Sequence, residues 1–274
     1  MFIEAILILI SLSLGSFIGL LTYRLPRHQS IVSGRSHCEA CGRQLCWYEL
    51  IPFFSYFILQ GRCRSCKSHI SKKYPAIEII SIFIVLGSFF KCSLSLEFIE
   101  ECVFLLLMLT IFIIDWEHLI IPNILVFLGI GLGLLFQLVH GFGSITTGLF
   151  NGLIAFLFVF AIRFLANRVY KKETLGFGDV KFAGLLGLWL GIMNFIIVLW
   201  LAAILGAIYG IWKTAFQHKK EPVEHFIADG AVNNLGALNV KIPFGSFLAA
   251  AASGMFWYQQ PISDFIRVWW NFNQ

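Results

Sequence analysis

Two aspartates and four cysteines are the residues of this chain whose type and spacing could do chemistry. Asp115 closes the apolar run CVFLLLMLTIFII, and Asp179 ends a glycine-rich turn, GFGD, shortly before FAGLLGLWLGIMNFIIVLW. A carboxylate at the centre of a bilayer costs about 2.5–3.5 kcal/mol on insertion scales, so acids beside membrane-length apolar runs point to function. Two of them could form an acid–base pair that hydrolyses a bond at the membrane surface. Each also has a plainer reading. Asp is among the best helix N-caps, so Asp179 could simply cap the following helix, and Asp115 could be a surface residue where its helix ends.

The cysteines Cys38-Glu-Ala-Cys41 and Cys63-Arg-Ser-Cys66 stand in one basic loop, 21 residues apart. Zinc prefers four tetrahedral thiolates, and each CxxC turn aims two sulfurs at one ion. Four thiolates leave no open position for a substrate, so the spacing predicts a structural metal. A loop without a core of its own takes its order from such an ion, because zinc affinity becomes folding free energy. The competing reading is redox-active or coincidental cysteines. The total of seven cysteines is odd, which argues against a disulfide framework and for a reducing compartment. Cys46, Cys92 and Cys102 have no partner motif and are expected to be packing residues. His37 and His69 flank the motifs and are expected at the surface.

The elements that must carry these residues follow from composition. Of 274 residues, 58% are hydrophobic and 13% charged, whereas soluble domains run at about 45–50% and about 25%. Mean hydropathy is +0.82. The expected fold is an all-α, polytopic membrane bundle, since the apolar runs are continuous rather than alternating as in a β-barrel. About 20 apolar residues span a bilayer. Candidate spans fall at 2–21, 75–90, 99–115, 119–139, 147–165, about 180–191, 193–212 and 242–258, which makes about eight crossings. The stretch 182–212 is uncharged, long for one crossing and tight for two, with Gly191 and Asn194 marking a turn. Segment 2–21 lacks a basic n-region and a small-residue cleavage site, so it reads as a retained helix. The expected organisation is a first helix over 1–22, a loop over 23–74, a bundle over 75–258 and an interfacial, tryptophan-bearing tail over 259–274.

Charge orients the bundle. Segment 23–73 holds nine Arg and Lys residues against Glu39 and Glu49, which places it in the cytoplasm. Arg163, Arg168, Lys171 and Lys172 return to that side just before GFGD. Alternation then puts Asp115 and Asp179 on the cytoplasmic face together. Segment 213–241, with four lysines and three acids, adds only weak support for its own return to the cytoplasm. The net charge of +5 is a matter of topology, not of nucleic acid, since no basic–aromatic stripe is present.

With these motifs in order, the chain resembles the type IV prepilin peptidase family of bifunctional leader peptidases and N-methyltransferases. The likeness rests on GSFIGLLTYRLP at 15–26, on the two-CxxC loop ending in YPAIE, and on IDWEHLIIPN at 114–123. It rests also on LGFGDVKF at 175–182 and IPFGSFLAAA at 242–251. Small departures are Asn123 where an acid is often found, WYELIP for a WYDNIP-like element, and Ser246 where a proline is common.

The resemblance implies a bacterial inner-membrane enzyme that cleaves the basic leader of type IV prepilins or pseudopilins on the cytoplasmic side. Asp115 and Asp179 would be its catalytic pair, Gly176 and Gly178 would shape the turn, and Cys38, Cys41, Cys63 and Cys66 would bind zinc. Lys181 would favour ionisation or meet the substrate, or else snorkel as an ordinary membrane lysine. A second activity would methylate the new amino terminus with S-adenosylmethionine. The absence of GxGxxG after a strand leaves the loop as its natural place. Glu49 and Glu78 are candidates for it by resemblance, with Glu78 equally able to cap or pair at the start of its helix. Rival readings are a presenilin-like GxGD protease with other clients, a membrane transporter with a zinc-sensing loop, and a non-enzymatic assembly subunit.

Overall fold

The computed structural model describes residues 2–171, 173–218 and 242–272, and its regular elements are helices. They are α1 (Phe2–Arg24), a short α2 (Phe54–Ile58), α3 (Lys73–Cys92), α4 (Leu96–His118), α5 (Asn123–His140), α6 (Phe142–Tyr170), α7 (Phe177–His218) and α8 (Phe244–Phe272). Five of them, α1, α3, α5, α6 and α7, are long and apolar enough to cross a membrane. This is the expected helical, multi-pass architecture. The helix α4 has comparable length but carries Glu97, Glu100 and Glu101 at its start and Asp115 and Glu117 at its end. The stretch expected as a separate tail continues α8 to Phe272. Residues 219–241 of the segment assigned to the cytoplasm by charge lie outside the described residues.

The chain divides into two compact units, Met1–Thr110 and Ile111–Gln274, with the boundary inside α4. In the first unit α1 packs along α3. A Cβ on Gly15 would stand 2.7 Å from the Cα of Glu78, so only hydrogen at that position lets the two helices approach so closely. Leu7, Val85, Phe98 and Cys102 form a core cluster there, with Cys92 packed against it. Cys92 also donates to Glu101 Oε2 at 3.3 Å, beside a Lys91–Glu101 ion pair at 3.1 Å. Pro75 sits in the first turn of α3, where its missing N–H costs nothing. The loop between α1 and α3 is tied to the bundle by Arg24. This buried guanidinium donates to the carbonyls of Ser30, Ser33 and Gly34 at 2.9, 3.2 and 2.9 Å.

In the second unit α7 packs against α6 and α8, and α5 against α6 and α7. The long uncharged stretch resolves as one element broken at Gly191, where φ is 76° and ψ 162°. A residue with a Cβ is strained in that conformation, which is why glycine stands there. A helix break in a membrane frees backbone groups that water cannot satisfy. Here side chains take them up. Gln137 Nε2 donates to the Leu188 carbonyl at 2.7 Å, and Asn194 Nδ2 to the Leu190 carbonyl at 3.0 Å. Trp189 Nε1 donates in turn to the Gly129 carbonyl at 2.9 Å, which locks the break against α5.

Candidate active site and metal centre

Asp115 lies in the last turns of α4 and is 5% exposed. Its Oδ2 accepts the backbone N–H of Ser246 at 2.6 Å and lies 3.1 Å from the Ser246 hydroxyl, which is also 3.0 Å from the Phe112 carbonyl. Ser246 belongs to the first turn of α8, so the free N–H groups and positive end of that helix face the carboxylate. Asp179 sits in the first turn of α7. Its carboxylate lies against the turn, where a Cβ on Gly176 would stand 3.1 Å from its Oδ2. The first glycine of GFGD is therefore needed for the carboxylate to fold back on the turn.

Ile121 brings the two motifs together. A Cβ on Gly178 would meet the Ile121 Cβ at 3.3 Å, and one on Gly245 would meet the Ile121 Cδ1 at 2.7 Å. That same Cβ on Gly245 would lie 3.0 Å from the Asp115 carboxylate. Glycines at 178 and 245 thus admit one isoleucine between the starts of α7 and α8. The two aspartate motifs thus meet on either side of Ile121. Lys181 Nζ donates to Asn123 Oδ1 at 2.9 Å and lies 4.9 Å from the centre of the Phe177 ring. The lysine is thus held by the polar residue after Pro122.

The first unit holds the other constellation. The Sγ atoms of Cys38, Cys41, Cys63 and Cys66 all lie within 4.8 Å of one another. A zinc tetrahedron with Zn–S of about 2.3 Å has S···S edges of about 3.8 Å, and Cys38 Sγ and Cys66 Sγ stand 3.8 Å apart. The donor set therefore fits zinc. Each CxxC forms the same turn. Gly42 N–H donates to the Cys38 carbonyl at 2.9 Å and Lys67 N–H to the Cys63 carbonyl at 3.0 Å, with φ of 70° and 58° at the two equivalent positions. Burial raises the Cys38 thiol, but the N–H groups of Cys41 and Ala40 with the Ser68 and Cys63 side chains bring its pKa down to about 6. The Arg43 N–H lowers Cys41, yet burial and the neighbouring sulfurs push it up to about 11, so without a metal the cluster shares its protons. His37 and His69 lie in the β-bridges His37–Gln44 and Arg62–His69 that close these turns, outside the sulfur cluster.

Glu49 and Glu78 line one cavity of about 460 Å³, beside Ser16, Tyr23, Phe53 and Tyr74. Their surroundings differ. Glu49 Oε1 pairs with Arg43 at 2.5 Å and its Oε2 accepts the Cys46 N–H at 2.8 Å. Glu78 is 6% exposed and, among the described residues, its Oε2 accepts the neutral Phe53 N–H at 2.7 Å. Phe53 is held at φ 63°, a strained conformation for a side chain of its size.

The structure brings the four expected cysteines together and lines one cavity with both expected glutamates. Sequence reasoning missed the contacts of Ser246 and Ile121 with the aspartate motifs. Ser246 was visible only as a serine in a proline's place, and Ile121 only as part of an apolar flank.

The chain matches the model of the bacterial peptidase A24 N-terminal domain over residues 9–92 and that of the type IV leader peptidase family over residues 102–211. It is 31% identical over 205 residues to a prepilin leader peptidase/N-methyltransferase of Myxococcus xanthus, covering 75% of this chain and 61% of that protein. The protein of the same description from Bacillus subtilis is 30% identical over 206 residues, with 75% and 81% covered. The one from Pseudomonas aeruginosa is 27% identical over 269 residues, with 89% and 86% covered. No solved structure matches the chain.

Proposed function

Since the chain belongs to the type IV leader peptidase family, we propose that it is a membrane aspartyl endopeptidase and N-methyltransferase of prepilins or pseudopilins. The observation that supports the peptidase reading is the packing of Ile121 against Gly178 of the Asp179 turn and against Gly245, which adjoins Asp115. On this reading the two carboxylates come within reach of one water, where they do not both ionise at neutral pH and share one proton. The ionised member takes a proton from water, and that water adds to the scissile carbonyl. The protonated member hydrogen-bonds the carbonyl oxygen. As the C–N bond breaks, the proton passes to the leaving amine. The proton belongs to the pair rather than to one residue.

The second activity belongs to the cavity of the first unit. Its volume falls in the range of about 300–1,000 Å³ that holds drug-sized ligands, and Tyr23, Phe53 and Tyr74 offer flat faces to a purine. S-adenosylmethionine, when bound, supplies an electrophilic methyl group. Glu78, buried without a cationic partner among the described residues, holds the substrate's ammonium and accepts its proton. Zinc on Cys38, Cys41, Cys63 and Cys66 is structural, since four thiolates close its coordination.

The membrane is the bacterial inner membrane, crossed about eight times with the α7 break separating two spans, and both sites face the cytoplasm. That orientation suits a basic leader followed by an apolar helix. Reconstituted wild type, Asp115→Asn and Asp179→Asn with a prepilin, followed by mass spectrometry of the leader, test the dyad. Both variants should lose at least about 100-fold in cleavage. Wild-type-like cleavage by either one sinks the reading.

A further inference from the structure

We infer that Arg163, on α6, is a positioning residue for Asp179. The inference rests on the assignment of Asp179 to the dyad. Arg163 Nε donates to the carbonyl of Leu175 at 2.9 Å. That carbonyl shares its peptide unit with Gly176, against which the Asp179 carboxylate folds, a Cβ on Gly176 standing 3.1 Å from its Oδ2. A trans peptide is planar, with C=O and N–H pointing in opposite directions. The guanidinium therefore holds the carbonyl edge of the plane that carries Gly176, on which the aspartate rests. Without Arg163 the Leu175–Gly176 plane loses this anchor, and Gly176 shifts beneath Asp179.

Two neighbouring contacts make the hold rigid. The Arg163 guanidinium lies 5.4 Å from the centre of the Phe177 ring, the first residue of α7. One turn further along α6, Asn167 Oδ1 accepts both the N–H and the hydroxyl of Thr174 at 3.0 Å. α6 thus grips the chain at 174, 175 and 177, leaving the glycine turn and Asp179 little freedom. The ion pair of Arg163 with Glu173 is a lesser feature. It spans 3.6 Å to a side chain that is 88% exposed, a geometry worth little in water. A snorkelling arginine would spend its donors on headgroups and solvent, whereas this Nε is committed to a backbone carbonyl beside the dyad.

The test measures kcat and KM for cleavage of one prepilin by the full-length protein in nanodiscs. Wild type is compared with Arg163→Gln, Arg163→Lys, Arg168→Gln and Asp179→Asn. Small misplacement of a reacting group costs up to about 100-fold in rate, so Arg163→Gln should lower kcat by about 10- to 100-fold with KM unchanged. Arg163→Lys keeps one donor and a charge and should recover part of that loss. Arg168→Gln, five residues on, should behave as wild type. Methyl transfer to a pre-cleaved substrate reports that each variant is folded, and if Arg163→Gln does not accumulate the lysine variant decides. Wild-type kcat in Arg163→Gln beside an inactive Asp179→Asn overturns the inference alone, as does a loss confined to KM. Full cleavage by Asp179→Asn overturns the dyad, and the role of Arg163 with it.

Discussion

Glu49 and Glu78 line the same cavity, yet their partners give them different work. Glu49 is spent on structure. The Cys46 N–H holds its carboxylate below the usual range, burial opposes that shift, and Arg43 reinforces it. A group whose pKa is lowered on folding adds stability above its ordinary value of 4.5, and that contribution disappears as pH falls through the lowered value. Glu49→Gln should therefore destabilise the loop by about 1–3 kcal/mol near neutral pH. In melting curves of the purified protein, the gap from wild type should close as the solution is acidified below 4.5. A gap that persists unchanged in acid would show that the charge of Glu49 is not what the loop uses. Sequence made these two acids equal candidates because it shows residue types without their partners. The CxxC pairs were legible for the opposite reason, since each is a local turn whose ligands lie three residues apart. The bond between Ser246 and Asp115 joins residues 131 apart, and nothing near either residue announces it.

The helices themselves were legible because the bilayer fixes their length and excludes charge from their centres. Even the break in α7 was visible, as Gly191 and Asn194 in a run too long for one crossing. What sequence could not supply is the repair of the break. Gln137 reaches the Leu188 carbonyl from 51 residues away and had been only one polar residue in an apolar span. Its removal leaves a carbonyl in hydrocarbon without a donor. Interhelical hydrogen bonds in membranes are worth about 0.6–1.7 kcal/mol, so Gln137→Ala should lower stability by about that amount in detergent or bicelle unfolding. Gly191→Ala should cost about 1–3 kcal/mol, the penalty of a Cβ in a backbone region essentially confined to glycine. If both variants unfold like wild type, α7 has another way to satisfy its break. Lys181 shows the same limit of local reading. It was expected to favour ionisation, to meet the substrate or to snorkel, and no local pattern showed that its hydrogen bond goes to Asn123, at the start of α5.

Each proposed site is assembled within one unit. Glu49, Glu78 and the four cysteines belong to Met1–Thr110, while Asp115, Asp179 and Ser246 belong to Ile111–Gln274. The two family segments, 9–92 and 102–211, fall on nearly the same division. Two activities built from separate residues in separate units should be separable by mutation. Asp115→Asn should abolish leader cleavage yet still methylate a synthetic pilin segment that already carries the mature amino terminus. Glu78→Gln should cleave the prepilin at the wild-type rate and release an unmethylated product. General acid–base groups contribute about 100- to 10,000-fold, so each loss should be at least about 100-fold and should leave the other rate unchanged. A burial defect is distinguishable from lost chemistry, because Gln keeps the size and hydrogen-bonding reach of Glu while discarding its charge. Mass spectrometry of the product resolves both outcomes, since the leader and the single methyl group are separate mass differences. Loss of cleavage in Glu78→Gln, in a protein that remains folded, would mean that the carboxylate of the first unit takes part in the peptidase reaction, and the two sites would have to be treated as one.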